Sequence, residues 1–260
     1  MSLKHFTTVL FSALILFCIT SCTSYKNVQY FQDLAADSVR SEVIGNFSPL
    51  TIQPGDLLGI HFNSLNPEAS AVFNYNLERP NGTSNLDKAE ESAVIGYLVD
   101  YEGNIHLPQV GKMNLKGLTT IEATKAIEEK VATVLTKPKV NIRIQNFKVS
   151  VLGDVKSPGT YNIYNEKLTL LEGLSRAGDL NSTGIRKILL VREIDGKRVY
   201  VPIDLTSKNI FKSEYYYLKN NDVIYVQPNR TRIENDGTTF QKVSIAVSLL
   251  SIIAILITNS

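Results

Sequence analysis

The period of the hydrophobic positions changes along the chain, and the changes predict where one element gives way to the next. Apolar residues from Leu57 to Phe62 follow the turn signal Pro54-Gly55 and suit a strand. Gly96–Asp100 and Ile105–Pro108 read as a strand pair joined by a turn at Glu102-Gly103-Asn104. After Gly117 the spacing turns helical. Thr119 and Glu122 stand at capping-box spacing, and Ile127, Val131, Val134 and Leu135 make one apolar face up to Pro138. Val140, Ile142 and Ile144 then alternate with polar residues as a half-buried strand. Between the first strands, Leu77–Ser92 has almost no apolar content and reads as a surface loop.

From Phe147 the pattern restarts. Lys148–Gly153 reads as a strand and Ser157-Pro158-Gly159 as a turn. Thr169 and Glu172 repeat the capping-box spacing ahead of a short helix, with Leu170, Leu174 and Ala177 on one face and Gly178 as its stop. Ile188–Val191 and Val199–Leu205 are strands, and Asn220-Asn221-Asp222 is a turn before the strand Val223–Val226. The predicted fold class is α+β, with one compact unit over residues 47–146 and a β-grasp-like unit over 147–228. Residues 22–46 are a polar tether and 229–242 a polar linker.

Both ends carry apolar runs of a different kind. Lys4 followed by the run Phe6–Ile19 has the form of a signal peptide, too short for a comfortable transmembrane helix. The run closes on Ile19-Thr20-Ser21-Cys22, which looks like a bacterial lipobox, so residues 1–21 are cut away and Cys22 becomes the acylated N-terminus. Cys18, the other cysteine, leaves with the signal, and no disulfide is expected in the mature chain. Thr23, Ser24 and Tyr25 follow in place of acidic sorting residues, which favours the outer membrane. At the far end, residues 243–260 (VSIAVSLLSIIAILITNS) carry no charge and as a helix reach roughly 27 Å, near the thickness of a bilayer core. Ser244, Ser248, Ser251 and Thr258 fall on one face of that helix, suited to close helix packing or to lining a pore.

Composition narrows the function classes. The net charge is +2, with Lys and Arg spread among acids and no basic block, so nucleic acid is not an expected partner. Catalytic motifs are missing. His61 and His106 sit alone in predicted strands, and neither GxGxxG nor a phosphate-binding GxxxxGK[ST] occurs. Gly173-Leu174-Ser175-Arg176-Ala177 only approximates a nucleophile elbow, since Ser175 falls late in a predicted helix. Tyr215, Tyr216 and Tyr217 read as core and rim residues of a β-rich segment. No enzyme activity, cofactor or metal is expected.

Several motifs in order resemble the outer-membrane polysaccharide export proteins of bacterial capsule and exopolysaccharide. The first unit resembles the polysaccharide export domain through Ile52–Leu58 (IQPGDLL), Gly96–Gly111 (GYLVDYEGNIHLPQVG) and Gly117-Leu118-Thr119. The second resembles the soluble-ligand-binding β-grasp domain through Val151–Val155 (VLGDV), Ser157–Tyr161 (SPGTY), Leu170–Asp179 (LLEGLSRAGD) and Leu218–Val226 (LKNNDVIYV). Asn221 stands where the family often has Gly, a change compatible with left-handed turn geometry.

The resemblance implies a homo-oligomeric ring in the periplasm, anchored by acyl groups in the outer membrane, whose C-terminal helices cross that membrane together. It implies polysaccharide as cargo and an inner-membrane polysaccharide co-polymerase, often a tyrosine kinase, as partner. One β-grasp domain stands where longer members have two, so a shorter ring is expected. The competing reading is a non-transporting, carbohydrate-binding or scaffold lipoprotein of the cell envelope.

Overall fold

The computed structural model describes residues 28–34, 39, 41–74, 96–194, 196–230, 232, 244–245, 247–248 and 251. The surface loop expected over Leu77–Ser92 lies outside the described residues, as does Cys22. The fold is mixed α/β with few helices, gathered around two hydrophobic cores.

The first core is built on β1 (Leu57–Asn63), whose Leu58, Ile60 and Phe62 point inward at period two. It pairs antiparallel with β2 (Tyr97–Leu98) on one edge and β5 (Lys139–Ile144) on the other. Helix α1 (Pro67–Ala71) starts at Asn66, whose side chain accepts from the Glu68 and Ala69 amides at 3.1 and 3.3 Å. The hairpin of β3 (Asn104–Leu107) and β4 (Gly111–Asn114) stands apart from the sheet. Helix α2 (Thr120–Val131) buries Ala123, Ile127 and Val131, and its Thr119–Glu122 capping box is formed.

Two expectations need correction here. The strand Ile105–Pro108 does not pair with Gly96–Asp100: β2 joins β1, and the partner of β3 is β4, which has one apolar residue, Met113. Val134 does not share the buried helical face. The helix ends at Val131 with Ala132 as its C-cap, so the chain turns Val134 outward at 40% exposure while Leu135 stays buried.

The second core lies under a five-stranded sheet in the order β7 (Gly159–Asn162), β6 (Lys148–Gly153), β10 (Val223–Val226), β8 (Lys187–Ile194), β9 (Lys197–Asp204). The first and last strands of the unit, β6 and β10, are neighbours and run parallel, while every other pair is antiparallel. Helix α3 (Leu170–Arg176) covers one face, its Thr169–Glu172 capping box formed and Leu170 and Leu174 buried. Gly173 lets it come close: a Cβ there would stand 2.8 Å from Leu218 and 3.3 Å from Ile224. Asn221 does adopt the left-handed conformation, with φ 66°.

The described part of the expected tether is not slack. Residues 28–34 form a strap on the second unit, where the Phe31 and Gln32 amides donate to the Leu205 and Thr206 carbonyls at 3.2 and 2.7 Å. Phe31 packs on Phe211 with centroids 5.0 Å apart, and the Tyr30 hydroxyl donates to Asp179 at 2.5 Å. Asp33 accepts from the Lys208 amide and the Ser207 hydroxyl, contacts that hold its carboxyl below the usual range. Aromatic contacts of this kind contribute about 0.5–1.5 kcal/mol. Phe31→Ala is therefore expected to speed amide hydrogen exchange in the strap by roughly three- to tenfold, without moving the global unfolding midpoint. Unchanged exchange at Phe31 and Gln32 would count against the docked strap.

Candidate functional site

Three buried carboxylates mark the turns at which the two units are tied down. Asp56, from the Pro54-Gly55-Asp56 turn, accepts from the Gln53 amide at 2.9 Å and from the Asn220 side chain at 2.8 Å. Burial pushes its carboxyl above the usual range, against those two hydrogen bonds. Asn220 also accepts from the Lys148 amide at 3.0 Å, so one amide side chain grips both units. Asn146 completes the junction, donating to the Gly55 carbonyl and accepting from the Leu57 amide, each at 2.9 Å.

Asp222 forms a buried pair with Arg192 inside the second unit. Asp154 is also buried. Burial alone would raise its carboxyl, but the Thr183 hydroxyl at 2.6 Å, the Asn181 amide at 2.8 Å and the Arg232 guanidinium outweigh that and hold it below the usual range. Each of these acids is engaged by turn amides or neighbouring side chains, the signature of structural carboxylates.

Arg186 gathers the chain's outgoing and incoming paths. Its guanidinium donates to the Val28 carbonyl at 3.0 Å and to the Asn181 carbonyl at 2.8 Å. On the same loop the Thr183 carbonyl receives the Asn229 amide at 2.9 Å, and Ile185 donates to Gln227 at 2.8 Å. The strap and the segment leading to the tail thus leave the second unit side by side, beside residues 181–186.

Of the residues singled out from sequence, Cys22 and Thr258 lie outside the described residues. Ser244, Ser248 and Ser251 are helical and exposed. The Ser248 hydroxyl donates to the Ser244 carbonyl at 2.8 Å and Ser251 to Val247 at 2.9 Å, the usual return of a helical serine to its own backbone. Among the described residues no helix is long and apolar enough to cross a membrane.

His61 and His106 are exposed on β1 and β3, and no group of three His, Cys, Asp or Glu among the described residues is placed to hold a metal ion. Ser175 sits within α3 rather than on a strand-to-helix turn. Tyr217 is buried and stacks edge-on with Tyr216 and Phe47, as core and rim. Sequence reasoning missed Arg186, Asn146 and Asn220. The Asn220-Asn221-Asp222 turn signal did mark the place, though not its reach across to Asp56.

A family model described as polysaccharide biosynthesis/export protein matches residues 46–145, and an SLBB domain model matches residues 147–226. The EPS I polysaccharide export outer membrane protein EpsA of Ralstonia solanacearum is 27% identical over 197 residues, covering 72% of this chain and 50% of that protein. EpsA of Ralstonia nicotianae is 36% identical over 94 residues, 35% of this chain and 25% of that protein. The exopolysaccharide production protein ExoF of Rhizobium meliloti is 29% identical over 155 residues, 47% of this chain and 36% of that protein. The chain spans a quarter to a half of the length of the EpsA proteins it matches. With both domain matches in tandem and the folded units in the same order, the chain belongs to the polysaccharide export protein family.

Proposed function

We propose that this chain is an outer-membrane lipoprotein whose copies assemble into a ring that conducts an exopolysaccharide out of the cell. The observation that carries the reading is the tandem of export domain and SLBB domain, joined without a spacer and locked by Asn146 and Asn220. The relatives, named as polysaccharide export outer membrane proteins, support the cargo and the compartment.

Chain path supports an orientation. Cys22 precedes the strap residue Val28 by six positions, at most about 20 Å of extended chain. Arg232, eleven positions before the tail at Val243, is paired with Asp154 on the same unit. An acyl group on Cys22 and a membrane helix over 243–260 would both leave from the loop 181–186. The β-grasp-like second unit then faces the outer membrane. The first unit points into the periplasm, toward an inner-membrane co-polymerase that carries tyrosine-kinase activity in many systems of this type. Side by side in a ring, the faces of Ser244, Ser248, Ser251 and Thr258 either pack the helices or line the lumen. Transport through such a ring is passive and needs no cofactor.

Crosslinking in intact membranes of a polysaccharide-producing strain tests the proposal. A ladder of homo-oligomers is expected, together with loss of surface polysaccharide when residues 243–260 are deleted. A strictly monomeric protein, or undiminished polysaccharide without the tail, would favour a scaffold lipoprotein instead.

A further inference from the structure

A groove of about 690 Å³ lies between the two units, with Asn141 and Arg143 of β5 on one wall and Tyr164, Asn165, Glu166 and Lys167 on the other. It continues through Asn141, Ile142 and Glu166 into a second hollow of about 260 Å³ that reaches Thr120 and Thr124 on α2. The two share Asn141, Ile142 and Glu166 and so adjoin, running from Tyr164 and β5 to α2.

Backbone also contributes to it. The sheet order ends at β5, so among the described residues one edge of that strand has no partner strand. Gln145 donates to the Leu57 carbonyl, whereas the Val140 amide faces away from β1 and donates to the Glu128 carboxylate at 3.0 Å. Strand alternation then turns the peptide groups of Ile142 and Ile144 toward the groove.

We propose that this groove holds a short stretch of the exported sugar chain, an inference that rests on the export reading above. The wall chemistry suits a polyol. Two side-chain amides, a guanidinium, an ammonium, carboxylates and free peptide groups offer donors and acceptors in similar number. Arg143 and Lys167 balance Glu166 and Glu172, so the groove carries no net charge that would single out a polyanion. Tyr164, 83% exposed at the rim, presents an apolar ring face with a polar tip, the form that packs against a pyranose while bonding to its hydroxyls.

A peptide added to the β5 edge fits less well. The Val140 amide is already taken by the Glu128 carboxylate at 3.0 Å. Among the described residues the peptide groups of Ile142 and Ile144 remain on that edge, too few to pair a strand. Lining residues this exposed grip weakly, which suits a cargo that must move on.

The test uses the full chain in cells that make the polysaccharide. The photoreactive residue p-benzoylphenylalanine is placed at Tyr164 and, as a control, at Tyr101, which is 99% exposed on the turn before β3 in the other unit. Irradiation is expected to give a glycan-bearing adduct from position 164 and about tenfold less from 101. Asn141→Ala combined with Arg143→Ala, both surface changes, is expected to cut the 164 adduct about tenfold, the equivalent of one lost polar contact. Equal adducts at both positions, an adduct unmoved by the double substitution, or an adduct carrying protein rather than sugar would each overturn the groove assignment and leave the export reading standing. Undiminished surface polysaccharide in cells lacking the whole protein would overturn the export reading itself.

Discussion

Asp222→Ala is expected to lose about 3–5 kcal/mol of stability, read as a lower urea midpoint for the second unit. Asp222 is fully buried, and Arg192, 8% exposed, forks onto it: Nε to Oδ1 at 2.8 Å and Nη2 to Oδ2 at 2.6 Å. The same guanidinium donates to the Tyr217 carbonyl at 2.9 Å and lies over the Tyr215 ring at 5.2 Å. Asp222 also accepts from the Lys219 amide at 2.8 Å, which closes the turn into β10. Removing the carboxylate leaves a cation buried with no counter-charge, and Lys219 adds a second positive charge nearby, its ammonium already held below the usual range by burial and by Arg192. The loss is therefore dominated by the stranded charge, not by the missing hydrogen bonds. A second substitution separates the two: Arg192→Leu in the Asp222→Ala background should regain most of the stability. A loss under about 1 kcal/mol for Asp222→Ala, or no recovery with Arg192→Leu, would show that the pair is not the clamp described here.

What could be read in advance followed the range of each rule. Both capping boxes involve residues three apart, and Thr119–Glu122 and Thr169–Glu172 formed where the spacing placed them. Strands β6, β8 and β10 were legible because their apolar residues are dense and bounded by turns. Strand β4 was not: of GKMN only Met113 is even half-buried, so no alternation marks it, and the partner of β3 was misassigned. Helix α1, five residues long, is too short for any period to show and is announced by its Asn66 cap and by Pro67 at its first position. The strap escaped notice because Tyr30 and Phe31 are two rings in a polar stretch, and their partners Asp179 and Phe211 lie far along the chain.

The site divides in the same way. Asp56, Asp154 and Asp222 stand in motifs that the eye finds easily, yet their purpose depends on Asn220, Arg232 and Arg192, which no local pattern connects to them. The groove walls come from β5 and from the segment before α3, about twenty residues apart in sequence and opposed only through the junction. An edge strand and an exposed tyrosine are ordinary features one by one. Their placement face to face is a tertiary fact.

Gly153→Ala is the second substitution with a large expected effect, roughly 3 kcal/mol. Gly153 closes the parallel pair of β6 and β10 opposite Val226, with φ +91°, a conformation that L side chains rarely adopt. A Cβ there would stand 2.0 Å from the Val226 carbonyl oxygen and 2.9 Å from its carbon, and backbone cannot swing aside as a side chain can. That carbonyl accepts the Asp154 amide at 2.9 Å, so displacing it also loosens the carboxylate that binds Arg232 on the way to the tail. Gly196 supplies the control. Its φ is +71° but nothing lies within 4 Å of a Cβ, so Gly196→Ala bears only the conformational cost of about 1–2 kcal/mol. The two variants should differ in urea midpoint, and in Gly153→Ala alone the Asp154 amide should exchange faster. Equal losses would mean that the strand end yields, and that φ rather than the carbonyl contact is what demands glycine at position 153.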